Sequence, residues 1–330
     1  MLIINYKSKL FFKLIVLIFL SSIFFSTIST AENNSLPSYP TKLGPKTFDQ
    51  ATIKSFKNNY KNSIIYAFSG NEKFHSSRLQ RSYFTNNLEI FYGDLYIGNY
   101  TNSEISYKLY FFLDYQQHSF SLSKKKSKNL MVYKFSVKSK SEKILPLRFG
   151  KITEGAHDIL IVAICDEAMN TYNHPKIISH RANLYVKHGK FENIEYKELT
   201  NSEKKVMTDI IITKNIKYNN SKKDLIKSNK YNYLIHVSNF YNTKLKYSLI
   251  VMLNSKQVFI NNNKRIIYFE QEEFSTNIIP IEINTKNKKI STNDKLFAIV
   301  TDNPYSVLEP VRGVYSKINA NIRISNNILN

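Results

Sequence analysis

Asp158 and Asp166 bracket the apolar run Ile159 to Cys165, and Asp294 and Asp302 bracket a second run, with Glu154 and Glu167 close to the first pair. Carboxylates gathered at one edge of a sheet are the hard oxygen donors that Ca²⁺ takes. No D-x-D-x-D-G loop accompanies them, and charges at both ends of a strand are equally what solvated termini require. Cys165 is the only cysteine. A nucleophilic thiolate needs a histidine within reach and an electropositive setting, and no spacing supplies one, so Cys165 reads as a small core side chain. His174, His180 and His188 lack the i,i+4 pairing that aims two imidazoles at one zinc ion, and His157 reads as a surface or turn residue. The eight glycines form no phosphate-cradling loop and no nucleophile elbow. Local pattern thus assigns no catalytic residue, cofactor or metal. The enzymatic alternative is a secreted hydrolase whose site forms between two domains.

Lysine is the other chemistry on offer. Lys124, Lys125, Lys126 and Lys128 cluster in the first half, and Lys264 and Arg265 follow three asparagines in the second; Lys138 to Lys143 and Lys286 to Lys289 are further runs. With 40 Lys against 7 Arg, the chain is rich in hydrated point charges and poor in the planar fork that reads phosphates and bases bidentately. The partner this favours is an anionic cell-wall polymer, a polysaccharide or lipid head groups, and specific nucleic-acid readout is disfavoured. Solvated loop tips and AT-biased coding would give the same lysines without a partner.

The N-terminus carries Lys7, Lys9 and Lys13, then an apolar run from Leu14 to Phe25, then Ser29-Thr30-Ala31. That is the charge, hydrophobic stretch and small-residue site of a secretory signal peptide over residues 1–31. Removing its three lysines takes the formal charge from +22 to +19 (22 minus 3). The expectation is an exported bacterial protein, secreted or at the cell surface, with no transmembrane span after cleavage. With one cysteine it has no intrachain disulfide, so its stability rests on core burial.

The segments that must position these residues occur twice. NYTNSEISYKLYFFLDYQQ, residues 99–117, is matched at an offset of 140 by NFYNTKLKYSLIVMLNSKQ, residues 239–257, with identity at Asn99/Asn239, Asn102/Asn242, Tyr107/Tyr247, Leu109/Leu249, Leu113/Leu253 and Gln117/Gln257. Downstream, Ile144 to Leu147 answers Ile278 to Ile281, and Asp158-x-Leu160 answers Asp294-x-Leu296. A period this long indicates a duplicated unit rather than a solenoid. Tyr107, Leu109, Phe111 and Leu113 keep spacing and apolar character in Tyr247, Leu249, Val251 and Leu253, and a period of two predicts strands with this row facing the core.

Further strands are predicted at 88–97, 130–137, 144–148, 158–165 and 179–187, and in the second unit at 233–238, 247–254, 265–270, 278–283, 295–301 and 314–324, with 206–212 opening that unit in the role of 88–91. Short strands with polar turns and no amphipathic helix predict an all-β chain of two tandem, related antiparallel β-sandwich domains of immunoglobulin-like type. The expected boundaries are 1–31 signal peptide, 32–82 a partly ordered extension with weak helical spacing at 48–58, 83–193 the first domain and 194–330 the second. Asp114/Asn254 and Gln117/Gln257 fall where a turn should begin, and Asp or Asn there can bond nearby backbone. Tyr110 and Phe112, on the face opposite the core row, could stack a sugar. Their counterparts Ile250 and Met252 keep the apolar character without the rings, which points to a covered face. The functional expectation is an exported, non-catalytic binding or scaffold protein.

Overall fold

The structure is a computed structural model that describes residues 50–60, 62–70, 75–76, 81–86, 90–122, 128–165, 177–199, 202–203, 210–214, 230–284, 294–308 and 322–328. The signal-peptide reading, Lys124 to Lys126, Asp166, Glu167, His174 and the 286–289 lysines lie outside these residues. One helix, α1 (Gln50–Asn59), precedes β1 (Ile64–Gly70), β2 (His75–Ser76), β3 (Ser82–Thr85), β4 (Ile90–Asn99), β5 (Ile105–Leu113), β6 (Gln116–Gln117), β7 (Phe120–Ser121), β8 (Tyr133–Val137), β9 (Ser141–Lys151), β10 (Gly155–Cys165) and β11 (Ile177–Val186). There follow β12 (Lys197–Glu198), β13 (Ser202–Glu203), β14 (Ile210–Lys214), β15 (Lys230–Asn239), β16 (Leu245–Leu253), β17 (Lys256–Gln257), β18 (Ile266–Gln271), β19 (Ser275–Asn284), β20 (Lys295–Asp302) and β21 (Ile322–Ile328).

These strands make four sheets among the described residues: β1-β4-β9-β7, β2-β3-β11-β10-β5-β6 with β8 beside β5, β12-β18-β16-β20-β21 with β17 beside β16, and β13-β19-β15-β14. Pairing is antiparallel except for β3 with β11 and β12 with β18. Among the described residues every element but α1 is a strand, and consecutive strands β4 and β5 change sheets, as do β15 and β16. That is the immunoglobulin-like partition, with β1, β4 and β9 in one sheet against β5, β10 and β11 in the other, and β14, β15 and β19 against β16, β20 and β21.

Parity decides what each strand buries. Tyr107, Leu109 and Phe111 of β5 and Ile159, Ile161, Ala163 and Cys165 of β10 fill the core between the first two sheets. Tyr247, Leu249, Val251 and Leu253 of β16 and Leu296, Ala298 and Val300 of β20 do the same between the other two. Tyr107 and Tyr247 occupy equivalent places: Tyr107 stacks on its cross-strand partner Phe135 at 5.4 Å and 25°, and Tyr247 on Phe269 at 5.2 Å and 23°.

The alternate residues of the same four strands form a third core. Tyr110, Phe112, Leu160, Val162 and Ile164 pack with Ile250, Met252, Phe297 and Ile299, and Tyr115 joins them. Both faces of β5, β10, β16 and β20 are therefore apolar, which explains the unbroken run ILIVAIC: a strand buried on two sides has no polar alternation to show. Each of these side chains contributes about 1.5–3 kcal/mol of hydrophobic transfer when fully buried. The Tyr110 and Phe112 face is thus covered by the second pair of sheets.

Two sequence expectations are corrected. Residues 210–212, in the strand expected to match 88–91, lie in β14, which pairs with β15 as β1 pairs with β4, so the counterpart of 210–214 is 66–70. Ile64 to Gly70 thereby belongs to the first sheet, where Phe68 enters the core, rather than to an extension. The pairing of Asp158 with Asp294 is one residue out. Ile159 lies opposite Leu113 and Leu296 opposite Leu253, so Asp158 corresponds to Lys295 and Cys165 to Asp302. A slip of one residue reverses every side chain on a strand; only the offset of 137 keeps both cores in register.

Candidate functional site

The two sheet pairs meet where β5 turns into β6 and β16 turns into β17. Asp114 and Tyr115 have φ of 49° and 62°, and Asn254 and Ser255 have 46° and 71°, the two left-handed positions of a tight hairpin turn. Asp and Asn accept that conformation, but their side chains do more than stabilise their own turn. Asp114 Oδ1 accepts the Asp158 N–H at 3.0 Å, and Asn254 Oδ1 accepts the Lys295 N–H at 3.0 Å, so each fixes the start of the neighbouring strand.

Just beyond the turns, Gln117 and Gln257 bond to each other. The Gln117 N–H donates to Gln257 Oε1 at 2.7 Å and the Gln257 N–H to Gln117 Oε1 at 2.8 Å. Gln117 Nε2 donates to the Ser255 carbonyl at 3.0 Å and Gln257 Nε2 to the Tyr115 carbonyl at 3.1 Å. The contact is self-complementary, as across a two-fold axis. The sequence marked both glutamines as recurrent but offered no sign that they were partners.

The same amides reach one further carbonyl each. Gln117 Nε2 also reaches the Met131 carbonyl at 3.2 Å, and Gln257 Nε2 the Arg265 carbonyl at 3.0 Å. Lys128, three positions before Met131, is exposed, as are Lys264 and Arg265. Arg265 lays its guanidinium over the Phe259 ring at 4.7 Å, and the Lys264 backbone pairs with Ile260 in both directions. Arg265 itself, and Met131 three positions after Lys128, are thus bonded to one glutamine pair, although they are more than 130 positions apart in sequence.

A buried polar network closes the seam nearby. Asp158 and Arg181 have fully buried side chains and pair at 2.7 Å. Asp158 also accepts from the Tyr115 hydroxyl, from Asn183 Nδ2 at 2.6 Å and from the Tyr305 N–H at 2.7 Å. Arg181 donates to the carbonyls of Asp302 and Asn303, each at 2.8 Å, and the Leu308 N–H donates to Asn183 Oδ1 at 2.8 Å. Burial, then the Asp158 charge against the effect of Arg181, pushes the Tyr115 hydroxyl far above its ordinary pKa, so it acts as a donor. These bonds tie residues 302–308, after β20, to β10 and β11.

Two of the carboxylates that could serve Ca²⁺ are engaged separately: Asp158 holds Arg181, while Asp294 bonds the Asn254 amide at the surface. Among the described residues no group of three or more His, Cys, Asp or Glu could hold a metal ion. Cys165 is buried opposite Tyr107 in the first core. His157 is not a surface residue as expected but is 7% exposed. Its Nδ1 lies 2.7 Å from Asp114 Oδ2 and its Nε2 3.0 Å from the Thr153 carbonyl. Burial disfavours the imidazolium, but the Asp114 bond and charge, with the Thr153 carbonyl, outweigh it and raise the pKa.

No family model matches the chain, and no curated protein matches it. Among solved structures, the CARDB domain of the PF1109 protein from Pyrococcus furiosus, in complex with di-metal ions, matches at 15% identity and TM-score 0.24, over 38% of this chain and 94% of that one. The YadV chaperone matches at 10% identity and TM-score 0.21, over 79% of this chain and 99% of that one. Red sea bream transglutaminase matches at 6% identity and TM-score 0.22, over 84% of this chain and a third (33%) of its own. Scores this low carry no argument about this chain.

Proposed function

We propose that the chain is an exported binding or scaffold protein that adheres to an anionic surface, a cell-wall polymer, polysaccharide or lipid head group, through its lysine-rich loops at 124–128 and 264–265. The observation that supports it is the glutamine pair. Gln117 bonds the Met131 carbonyl, three positions after Lys128, and Gln257 bonds the Arg265 carbonyl, so the exposed ends of the two basic segments leave from one glutamine pair, which supports their acting together. A lysine near an anionic membrane surface contributes about 1 kcal/mol, and two linked loops bind more tightly than either alone because the second contact is intramolecular. The hydrolase alternative needs an open site between the sheet pairs, where Tyr110, Phe112, Met252 and Phe297 instead pack together.

The test is co-sedimentation with isolated cell wall and with vesicles containing anionic lipid, across a salt titration. Binding is expected at low ionic strength and should fall steeply as salt rises. Reversing charge at Lys264 and Arg265, or at Lys124 to Lys128, should weaken it, and reversing both should abolish it. Binding that ignores salt and both sets of changes would refute the reading.

A further inference from the structure

At the far ends of β5 and β16 from the glutamine pair, the loops that cross between sheets, from β8 to β9 and from β18 to β19, are structural equivalents of opposite charge. Asn99 is buried, and its Nδ2 donates to the carbonyls of Ser103, Val137 and Lys138; the Nδ2 of buried Asn239 donates to those of Thr243, Gln271 and Glu272. Ser141 Oγ donates to the Lys138 carbonyl and Ser275 Oγ to the Glu272 carbonyl. These bonds superimpose the loop Lys138-Ser139-Lys140 on Glu272-Glu273-Phe274, each a three-residue connection ending in a left-handed residue, Lys140 at φ 53° and Phe274 at φ 43°. One tip is basic. The other is acidic and aromatic.

The two tips are also finished differently. At the basic one the preceding chain covers the corner: Phe56 of α1 packs on Tyr96 at 5.5 Å, the Ser63 carbonyl accepts the Tyr100 N–H, and Lys140 Nζ donates to Asn62 Oδ1 and the Tyr100 carbonyl. At the other tip the residues in the places of Tyr100 and Lys140 are Phe240 and Phe274, 43% and 51% exposed, and the Phe274 N–H donates to the carbonyl of Tyr241, the neighbour of Phe240. A phenylalanine in left-handed backbone is uncommon and costs conformational energy that a polar residue such as Asn would largely avoid. Lys244 lies within 3.1 Å of Glu198, Glu270 and Glu272, and Glu273 stands beside Phe274 at the exposed tip.

We infer that copies of this chain associate end to end, the Lys138-Ser139-Lys140 tip of one against the Glu272-Glu273-Phe274 tip of the next. A second copy is the occupant because the complementary tip is present on the same chain with the same loop shape. The net charge of +22, or +19 without residues 1–31, makes other faces of two copies repel, whereas at this tip Glu270, Glu272 and Glu273 set three carboxylates against the ammonium of Lys244, with Glu273 not among its partners. A contact between two different patches repeats rather than closing in pairs, so the assembly grows beyond a dimer, as a row or a ring. A row would multiply the basic loops offered to a surface, but the inference stands independently of that adhesion.

Sedimentation velocity of the purified chain tests it. At low salt the average mass should rise with concentration, and at about 0.5 M salt, where charges are screened within a few ångströms, it should return to that of a monomer. Phe274→Asn should weaken association at least tenfold while leaving the thermal midpoint equal or higher, which separates loss of contact from loss of fold. Glu273→Lys and Lys138→Glu should each be monomeric alone and associate when mixed, because the mixture restores opposite charges at every contact. A wild-type chain that stays monomeric, association untouched by these changes, or a mixture of folded variants that fails to associate would each overturn it.

Discussion

Gln117 and Gln257, 140 positions apart, each donate a backbone N–H to the other's side-chain oxygen, at 2.7 and 2.8 Å. A recurrent residue in a repeated segment thus serves as the contact between the two repeats. Replacing either glutamine by Ala leaves partner groups without their bonds in a part-buried seam, which costs about 1–3 kcal/mol. The double variant should cost less than the sum of the singles, because both remove one shared network. Urea unfolding of the four proteins measures this, and additive losses would mean that the glutamines act independently.

The Asp158 and Arg181 pair should be costly to break. Both side chains are fully buried, so Arg181→Met strands a carboxylate and Asp158→Asn strands a guanidinium. Either is expected to lose about 3–5 kcal/mol. Because water and ions do not reach the pair, the loss should be nearly the same in low and high salt. A loss that shrinks to nothing in high salt would place the pair at the surface instead.

His157 should make stability depend on pH. Burial opposes its charge, yet Asp114 and the Thr153 carbonyl raise its pKa above the ordinary 6.5. The protonated ring satisfies both acceptors, so its contribution is complete below about pH 6.5 and is lost as pH rises through the folded-state value. Urea midpoints measured from pH 5.5 to 9 should therefore fall with pH in a step that His157→Gln removes. Parallel curves for the two proteins would disprove the assignment.

Gly93 should not tolerate a side chain. It lies opposite Gly70 in the first sheet, and a methyl group there would come within 2.3 Å of the Phe68 ring and 2.9 Å of the Ser69 carbonyl oxygen. Gly93→Ala is expected to cost about 1–3 kcal/mol through displaced packing, read as a lowered thermal midpoint.

The sequence carried the fold through parity. Tyr107, Leu109 and Phe111 kept their two-residue spacing in Tyr247, Leu249 and Val251 because each row faces a core that tolerates only apolar groups. The covered face of Tyr110 and Phe112 was legible for the same reason, in counterparts that lost rings but not hydrophobicity. What escaped was set by contacts between distant segments. A glutamine near a turn has the same letter whether it bonds its own loop or another one, so Gln117 and Gln257 looked like turn chemistry. Asp158 and Asp294 look alike in sequence, and matching them hid the offset of 137 that the apolar rows require. Residues 66–70, YAFSG, have their counterpart at 210–214, IIITK, with no residue in common, so the repeat did not reveal it. His157 gave no signal, since its partner Asp114 lies 43 positions away.

The third core bears on how the polypeptide must be made. A ribosome completes β5 and β10 long before β16 and β20 exist, so Tyr110, Phe112, Leu160, Val162 and Ile164 wait uncovered through the synthesis of more than eighty further residues. For that interval the nascent chain carries a broad sticky surface, and a translation product stopped near residue 200 would keep it permanently. Chaperone demand and aggregation should therefore peak in shortened products rather than in the finished molecule.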